Sequence, residues 1–255
     1  MVNTGLLQKI GIKMNTNKTW KLLSLMVPPI FNKIWVKVFK RKMPKLPEDF
    51  DELVLSSHAL YKLIKDFEFT TVLDIGSGAG AHAKVLHRHN KKVTALDFGT
   101  SIYANIKGSN YKNIEHLELD FYEFSIDRKF DCIWASHVLE HQKNPGEFIR
   151  KCMELVKTNG IIAITIPPME QNVLGGHLTN WNAGLLLYNL IINGVDCSDC
   201  SILSYGYNIS IIVKNKKRGT VELTYDNGDI KKLMQYFPSC INSEPFDGRI
   251  EEWNW

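Results

Sequence analysis

The sequence contains no run of about 18–20 apolar residues, the length that a membrane-spanning helix requires. Its most apolar early stretch, residues 22–30, is interrupted by Pro28-Pro29 and lacks a small-residue cleavage site, so it does not match a signal peptide. Only five of the 255 residues are cysteine, and their uneven spacing is not typical of a disulfide framework. Together these absences predict a protein of the reducing cytoplasm.

Acidic residues are absent from residues 1–47, which carry ten Lys and Arg residues. Residues 48–255 carry 21 basic and 27 acidic residues, so the net charge of +4 arises from this one segment and does not predict nucleic-acid binding. We expect residues 1–47 to be a basic helical extension that includes an amphipathic helix. Its basic face is either solvated or contacts an anionic partner, and residues 1–45 could then meet a membrane surface or a phosphorylated substrate. The apolar residues at helical spacing are Ile30, Ile34, Val38 and Phe39.

From residue 48 onward, short strand patterns alternate with helical windows. Parallel strands require crossover connections, so this alternation predicts an α/β fold with a doubly wound parallel sheet. The expected strands are residues 70–75, 92–96, 114–119, 132–135 and 161–166, the last following a turn at Asn159-Gly160. The expected helices are residues 48–65, 81–89, 138–156 and 182–192.

Two further strands are predicted close together near the end of the chain. Residues 201–205 and 208–213 are separated only by Gly206-Tyr207, and strands joined so tightly must be antiparallel. We therefore expect residues 48–215 to form the core of the protein. Residues 216–255 are expected to form a C-terminal extension packed on that core.

A glycine-rich loop follows the first predicted strand. Gly76, Gly78 and Gly80 alternate between this strand and a helix, where backbone N–H groups can approach a ligand closely. The spacing also fits the dinucleotide fingerprint, but Asp74 would repel a pyrophosphate and suits an amine-bearing or cationic ligand. Asp97, at the end of the next strand, can accept both hydroxyls of a ribose. A ribosyl ligand with an amino or sulfonium group points to S-adenosylmethionine (SAM).

Two segments resemble motifs of class I SAM-dependent methyltransferases. Residues 72–80, V-L-D-I-G-S-G-A-G, are similar to the cofactor motif of that family. Residues 130–141, F-D-C-I-W-A-S-H-V-L-E-H, are similar to the fourth-strand motif of its small-molecule branch, which contains the quinone-biosynthesis methyltransferases. The resemblance implies a Rossmann-like seven-stranded sheet that ends in an antiparallel hairpin, with SAM as cofactor and S-adenosylhomocysteine as product. A shorter segment, residues 175–181, resembles methyltransferases encoded with bacterial surface-glycan genes.

The resemblance also implies roles for individual residues. The glycine loop would cradle the methionine part of SAM, and Asp74 would help to hold its amino group through the loop. Asp97 would bind the ribose, and Phe98 would stack on the adenine. Asp120-Phe121 would meet the exocyclic amine of the adenine. The expected cofactor-binding residues are Asp74, Gly76, Ser77, Gly78, Gly80, Asp97, Phe98, Asp120, Phe121 and Ser136, the last of which would line the transfer site together with His137.

Three histidines, His137, His141 and His177, are the candidate catalytic bases. Methyl transfer is an in-line displacement from a cationic sulfur, so alignment and desolvation can supply most of the acceleration. A neutral hydroxyl must also lose its proton, and an imidazole with a pKa near ~6.5 is suited to accept it. Residues 135–138 lack the Pro-Pro-aromatic motif of amide-nitrogen methyltransferases, which favours O-methylation. His177 and Trp181 are expected to contact the acceptor, a small and anionic sugar or phosphoryl-containing precursor of a surface polysaccharide.

Other interpretations stay open. The glycine spacing also allows an NAD(P)-dependent reductase. A second alternative is a non-catalytic subunit that binds SAM but transfers no methyl group. A third, based on the basic segment, is a membrane-peripheral lipid or quinone methyltransferase. Residues 137–141 also match the H-x-x-E-H zinc signature of the inverzincins. We predict no metal there, because the motif follows a strand rather than lying inside a long helix. Cys197-x-x-Cys200 has no second pair at zinc spacing, so ordinary reduced thiols are expected.

Overall fold

A computed structural model describes residues 43–100, 114–226, 228–250 and 254–255. Leu46–Trp255 is one compact unit. The amphipathic helix predicted around residues 30–39 lies outside the described residues, so the basic extension and its membrane contact stay predictions. Within the described part of the chain, no helix combines the length and the apolarity needed to cross a bilayer.

Seven strands form one mixed sheet. They are β1 (Thr71–Ile75), β2 (Lys92–Asp97), β3 (Glu115–Glu118), β4 (Phe130–Ser136), β5 (Val156–Ile166), β6 (Ser201–Tyr205) and β7 (Asn208–Lys214). The strand order is β3-β2-β1-β4-β5-β7-β6. Strands β1 to β5 pair in parallel, whereas β7 is antiparallel to both β5 and β6. The predicted Rossmann-like sheet with an antiparallel hairpin is confirmed.

Helices connect the strands and cover both faces of the sheet. Two of them begin at capping asparagines, because the side-chain oxygens of Asn144 and Asn182 each accept a backbone N–H of the first turn. The described α-helices are α1 (Glu48–Asp51), α2 (Ser57–Asp66), α3 (Ala81–Arg88), α4 (Pro145–Leu155), α5 (Ala183–Ile192) and α6 (Asp229–Leu233). Short 3₁₀ turns occur at Leu139–His141 and Met234–Tyr236.

Two predicted helices are interrupted. The helix expected over residues 48–65 is wrong as one element, since α1 ends at Asp51 and α2 begins at Ser57. Ser56 lies between them with a φ of 57°, and its backbone N–H donates to Asn208 Oδ1 at 3.0 Å. The helix expected from residue 138 begins only at Pro145, because the chain first makes the 3₁₀ turn.

The turn predicted at Asn159-Gly160 lies inside β5, so β5 begins five residues earlier than expected, at Val156. Asn159 has a φ of 60°, and the pairing of β4 with β5 shifts register between Phe130 and Cys132. This irregularity has the character of a β-bulge, which lets a strand continue past a residue that is out of register.

The core lies on both faces of the sheet, as expected for parallel strands buried between helices. Side chains alternate between the faces along each strand, so Val72 lies in one apolar cluster and Leu73 in the other, both 0% exposed. Leu233, Phe237 and Ile241 are buried in the cluster that contains Leu73, together with residues of α4 and α5. Some residues beyond position 215 therefore pack against the sheet. The domain boundaries at 47 and 215 stay predictions.

Asp131, near the start of β4, is expected to stabilise the fold through hydrogen bonds to the start of β1. Its Oδ2 accepts the N–H groups of Thr70 at 3.0 Å and Thr71 at 2.8 Å, and its Oδ1 accepts from Lys157 Nζ at 2.6 Å. Partial burial raises the pKa of this carboxyl, but the hydrogen bonds from Lys157 and Thr71 outweigh it and hold the pKa well below its usual range. The Asp131→Asn variant should lose about 1–3 kcal/mol of unfolding free energy at pH 7 in urea titrations.

The same hydrogen bonds predict how this loss depends on pH. Because the folded-state pKa of Asp131 is depressed, its stabilisation is present above the unfolded-state pKa of about 3.9 and is lost as the pH falls below that value. The difference between wild type and Asp131→Asn should therefore shrink on acidification. Asp127, an exposed carboxylate, is the matched control, and its Asn variant should stay within about 0.5 kcal/mol of wild type. Equal stability of wild type and Asp131→Asn at pH 7 would contradict the account.

Candidate active site

The predicted site residues gather at the carboxyl ends of the parallel strands. Strand β1 pairs with β2 on one side and with β4 on the other. After β1 the chain continues to one side through β2 and β3, and it then crosses over to β4 on the other side of β1. Such a topological switch point opens a crevice above the sheet, which is where ligands bind in open α/β sheets. The glycine loop follows β1 at this crevice.

The backbone of the glycine loop requires glycine at its alternate positions. Gly76, Gly78 and Gly80 have φ values of 67°, 50° and 75°, a region that side chains with a Cβ rarely adopt. The loop is fixed to the neighbouring strand, because the N–H groups of Gly76 and Ser77 donate to Leu96 O at 2.8 and 3.1 Å. The loop therefore has a defined shape and is not merely a flexible connection.

Asp97 holds the loop through both of its carboxylate oxygens. Oδ2 accepts the Gly78 N–H at 2.8 Å, and Oδ1 accepts the Gly99 N–H at 2.9 Å. A carboxylate has about four acceptor positions, so these two bonds leave capacity for two hydroxyl groups of a ligand. Asp97 is partly exposed at the end of β2, and its contact with a ribose stays a prediction.

Asp74 is a buried carboxylate at the base of the same crevice. Its residue is 1% exposed, and its Oδ2 has no hydrogen-bond partner among the described residues. Burial and the negative charge of Asp97 raise the pKa of Asp74 to about 8, although a hydrogen bond from the Ala83 backbone lowers it in part. A cationic or amine-bearing group beside Asp74 would lower this pKa and restore the negative charge, whereas the pyrophosphate of a dinucleotide would raise the pKa further, so the site favours the former.

Gly76 also packs against the segment that follows β4. A Cβ built at Gly76 would lie 2.5 Å from Val138 Cγ2. The Gly76→Ala variant is expected to weaken SAM binding about tenfold or more, because the left-handed backbone costs about 1–2 kcal/mol with a side chain and Val138 must also move. Gly175→Ala is the matched control, since a Cβ there meets nothing within 4 Å. Titration calorimetry of both variants checks this, and equal affinities would contradict it.

The other predicted cofactor residues have differing environments. Phe98 is 59% exposed after β2, so its ring is available for stacking. Asp120 Oδ1 accepts the Tyr122 N–H at 2.8 Å in the turn after β3. Phe121 is buried and packs against Phe148 with ring centroids 4.9 Å apart, which makes it a core residue in this structure. Contacts of these residues with adenine stay predictions.

The three predicted histidines form a connected group. His137 follows β4 with a φ of 56°, and its Nε2 donates to Asn208 Oδ1 at 3.1 Å. Its Nδ1 lies 3.4 Å from Oε1 of the buried Glu140. The rings of His141 and His177 contact each other edge to face with centroids 5.0 Å apart. The group extends from the end of β4 to the loop after β5.

The loop after β5 surrounds a cavity of about 240 Å³. His177 is among its lining residues, together with Pro168, Glu170 and Leu178. Trp181 is not among them: it is 4% exposed in the apolar core, and its Nε1–H donates to Thr179 Oγ1 at 2.7 Å. The structure thus gives Trp181 a packing role, and its contact with an acceptor stays a prediction.

Sequence analysis missed residues that come from distant parts of the chain. Ser56 is 0% exposed, and its hydroxyl lies 2.6 Å from that of Ser136. His82 Nε2 donates to Leu55 O at 3.1 Å, and Tyr207 stacks over His137 with ring centroids 6.0 Å apart. No local motif marks these residues, because each acquires its place only through the long-range fold.

Comparisons with known proteins place this geometry in context. Residues 73–164 match the family described as methyltransferase domain. The ubiquinone biosynthesis O-methyltransferase of Caulobacter vibrioides is 31% identical over 106 residues, which cover 38% of this chain and 41% of that protein. The alpha N-terminal protein methyltransferase 1 of Dictyostelium discoideum is 32% identical over 100 residues, which cover 36% of this chain and 37% of that protein. The chain thus spans about two fifths of the length of these curated relatives.

A solved structure shares the fold. The N-methyltransferase NodS from Bradyrhizobium japonicum, in complex with S-adenosylhomocysteine, superposes with a TM-score of 0.52 at 17% identity, covering 67% of this chain and 92% of that one. The likeness covers a larger share of this chain than the segment matched by the family.

Proposed function

We propose that this chain transfers the methyl group of SAM to a small acceptor, because residues 73–164 match the family described as methyltransferase domain. The observation that carries the proposal is the buried Asp74 carboxylate, with one oxygen unpartnered, at the base of a loop of positive-φ glycines. Asp97, at the end of β2, hydrogen-bonds to the same glycine loop, so two carboxyl groups are available to one ligand in the crevice. These groups suit an adenosyl sulfonium and not a pyrophosphate.

The residues of the crevice fit SAM in three places. The Asp74 side would take up the positive amino group of the methionine part, whose charge offsets the buried carboxylate. The free acceptor positions of Asp97 would take the ribose hydroxyls, and the exposed ring of Phe98 would cover the adenine. When bound, SAM supplies an electrophilic methyl group on a cationic sulfur.

We infer O-methylation, in which this chain aligns the acceptor and receives its proton. An acceptor oxygen forms a bond to the methyl carbon, the electron pair of the carbon–sulfur bond returns to sulfur, and the hydroxyl proton leaves to a base. His137, His141 and His177 stay the candidates for that base. His177 is the one that lines the cavity, whereas both ring nitrogens of His137 face protein groups.

The acceptor that we propose is a sugar or phosphoryl-containing precursor of a surface polysaccharide. The ten basic residues within residues 1–47 support an anionic acceptor. A prenylated phenol or quinone is the second candidate, because apolar side chains are exposed along the loop after β5. Met169 is 53%, Val173 96% and Leu178 57% exposed. The similarity to the ubiquinone biosynthesis O-methyltransferase of Caulobacter vibrioides also supports this second candidate.

A transfer assay tests the proposal. The full chain is incubated with SAM labelled in its methyl group and with two acceptor sets, sugar phosphates with nucleotide sugars, and phenols that bear a short prenyl chain. Label transferred to one set, and reduced in the Asp97→Asn variant, would support the proposal and identify the acceptor class. SAM binding without transfer to either set would favour a non-catalytic subunit, and binding of NADH would favour a reductase.

A further inference from the structure

Glu140, His141 and His177 form a cluster beside the cavity, called here the Glu–His–His cluster. Glu140 and His141 belong to the 3₁₀ turn after β4, and His177 belongs to the loop after β5. One potential ligand atom from each residue lies within 4.8 Å of the others. Glu140 is 0% exposed, and neither of its carboxylate oxygens receives a hydrogen bond from the described residues.

A buried carboxylate without hydrogen bonds is costly unless a cation compensates it. In their neutral forms, the imidazoles around Glu140 do not place an N–H on it. His137 donates through Nε2 to Asn208 Oδ1, so its Nδ1 faces Glu140 Oε1 at 3.4 Å without a proton. His141 Nδ1 lies 2.6 Å from Gly176 O, and since a carbonyl only accepts, Nδ1 carries the proton and donates. In the neutral ring, Nε2 then presents its lone pair 3.8 Å from Glu140 Oε1. Two electron-rich atoms thus face each other without a proton between them.

Two features of this arrangement are typical of a metal site. A tetrahedral ion with ligands at about 2.0–2.2 Å separates adjacent ligand atoms by about 3.4 Å, close to the spacing of His141 Nε2 and Glu140 Oε1. Metal-binding histidines commonly donate their second N–H to a backbone carbonyl, as His141 does to Gly176. His177 supplies a second imidazole from the opposite loop.

We propose that the Glu–His–His cluster binds one divalent first-row transition metal of the Zn²⁺ type. Two imidazole nitrogens and one carboxylate oxygen suit such ions, whereas Mg²⁺ and Ca²⁺ prefer oxygen ligands alone. The two histidines differ from those of the H-x-x-E-H signature, because the cluster whose ligand atoms all lie within 4.8 Å of one another contains His177 in place of His137. The proposal does not rest on methyl transfer. With the ion bound, the ligand nitrogens of His141 and His177 could not accept a proton, so for these two histidines the ligand role excludes the role of base.

The proposed ion would fix the loop after β5 to the end of β4. The backbone already joins these segments, since the N–H groups of Leu178 and Thr179 donate to Glu140 O at 2.8 and 3.2 Å. A side-chain link through an ion would add to these bonds and order the loop that lines the cavity. With three protein ligands, a fourth position stays open for water or for an acceptor oxygen.

Metal titration of the full chain without a polyhistidine tag tests the proposal. After treatment with EDTA and removal of the chelator, ZnCl₂ is titrated by calorimetry, and CoCl₂ is added separately to record the visible absorption of tetrahedral Co²⁺. We expect one Zn²⁺ per chain and a Co²⁺ spectrum of tetrahedral type. His177→Ala and Glu140→Gln should each weaken Zn²⁺ binding at least about tenfold. Replacing a residue that only hydrogen-bonds to a metal ligand already costs about 10- to 100-fold in affinity, and loss of a ligand should cost no less.

His87→Ala, on α3, is the matched control and should bind Zn²⁺ like wild type. Glu140→Gln keeps the shape of the buried side chain, so it remains informative if His177→Ala does not fold. Absence of Zn²⁺ binding, or equal binding in wild type and both cluster variants, would overturn the proposal. Saturation by MgCl₂ in place of ZnCl₂ would overturn the assigned metal class.

Discussion

The Asp97→Asn variant is expected to bind SAM about 10- to 150-fold more weakly than wild type, as measured by titration calorimetry. This range corresponds to a loss of about 1.5–3 kcal/mol, the typical contribution of hydrogen bonds to a charged group. Two effects act together. The variant loses charge-assisted bonds to the ribose, and it weakens the Gly78 N–H bond that shapes the glycine loop.

Asp131→Asn is the matched control for this effect. Asp131 lies near the amino end of β4, at the opposite edge of the sheet from Asp97, so its loss should reduce stability and leave SAM affinity within about twofold. The two variants therefore separate binding from folding. Unchanged SAM affinity in Asp97→Asn, or an equal loss in both variants, would remove Asp97 from the site.

Asp74→Asn should raise stability and lower SAM affinity. The pKa of Asp74 is about 8 in the folded protein, against about 3.9 in the unfolded chain. Between these values the folded state holds a proton that the unfolded state releases, so this group makes the protein less stable as the pH rises from about 4 to 8. Asn stays neutral and removes that penalty.

Melting curves without SAM at pH 6 and pH 9 test the stability effect. The Asn variant should melt several degrees above wild type at pH 9, and the difference should be smaller at pH 6. SAM affinity should fall by about tenfold or more, since Asn cannot ionise beside the bound amino group as Asp74 can. Asp127→Asn, at an exposed position, should change neither property. A pH-independent difference between wild type and Asp74→Asn would contradict the assigned pKa.

Local sequence patterns predicted most of the sheet. The strand patterns of residues 70–75 and 92–96 and the hairpin of residues 201–213 depend on neighbouring residues alone, and each is observed within about two residues of its expected bounds. The break at Ser56 was not predictable in this way. It is fixed by a hydrogen bond to Asn208, 152 positions away in the chain.

The two halves of the site differ in the same manner. The cofactor half is one continuous strand–loop–helix unit, so the positive φ values of Gly76 and Gly80 follow from their local pattern. The surroundings of His137 are instead assembled from Ser56, Glu140 and Asn208 on separate elements, and only the folded chain brings them together. The burial of Phe121 likewise depends on α4, which packs over it.

Calorimetric titration of the full chain with SAM, and separately with NADH, tests the central claim most directly. The account predicts saturable binding of one SAM per chain and no binding of NADH under the same conditions. Binding of NADH in place of SAM, or the absence of any SAM binding, would contradict the assignment of the crevice to an adenosyl sulfonium.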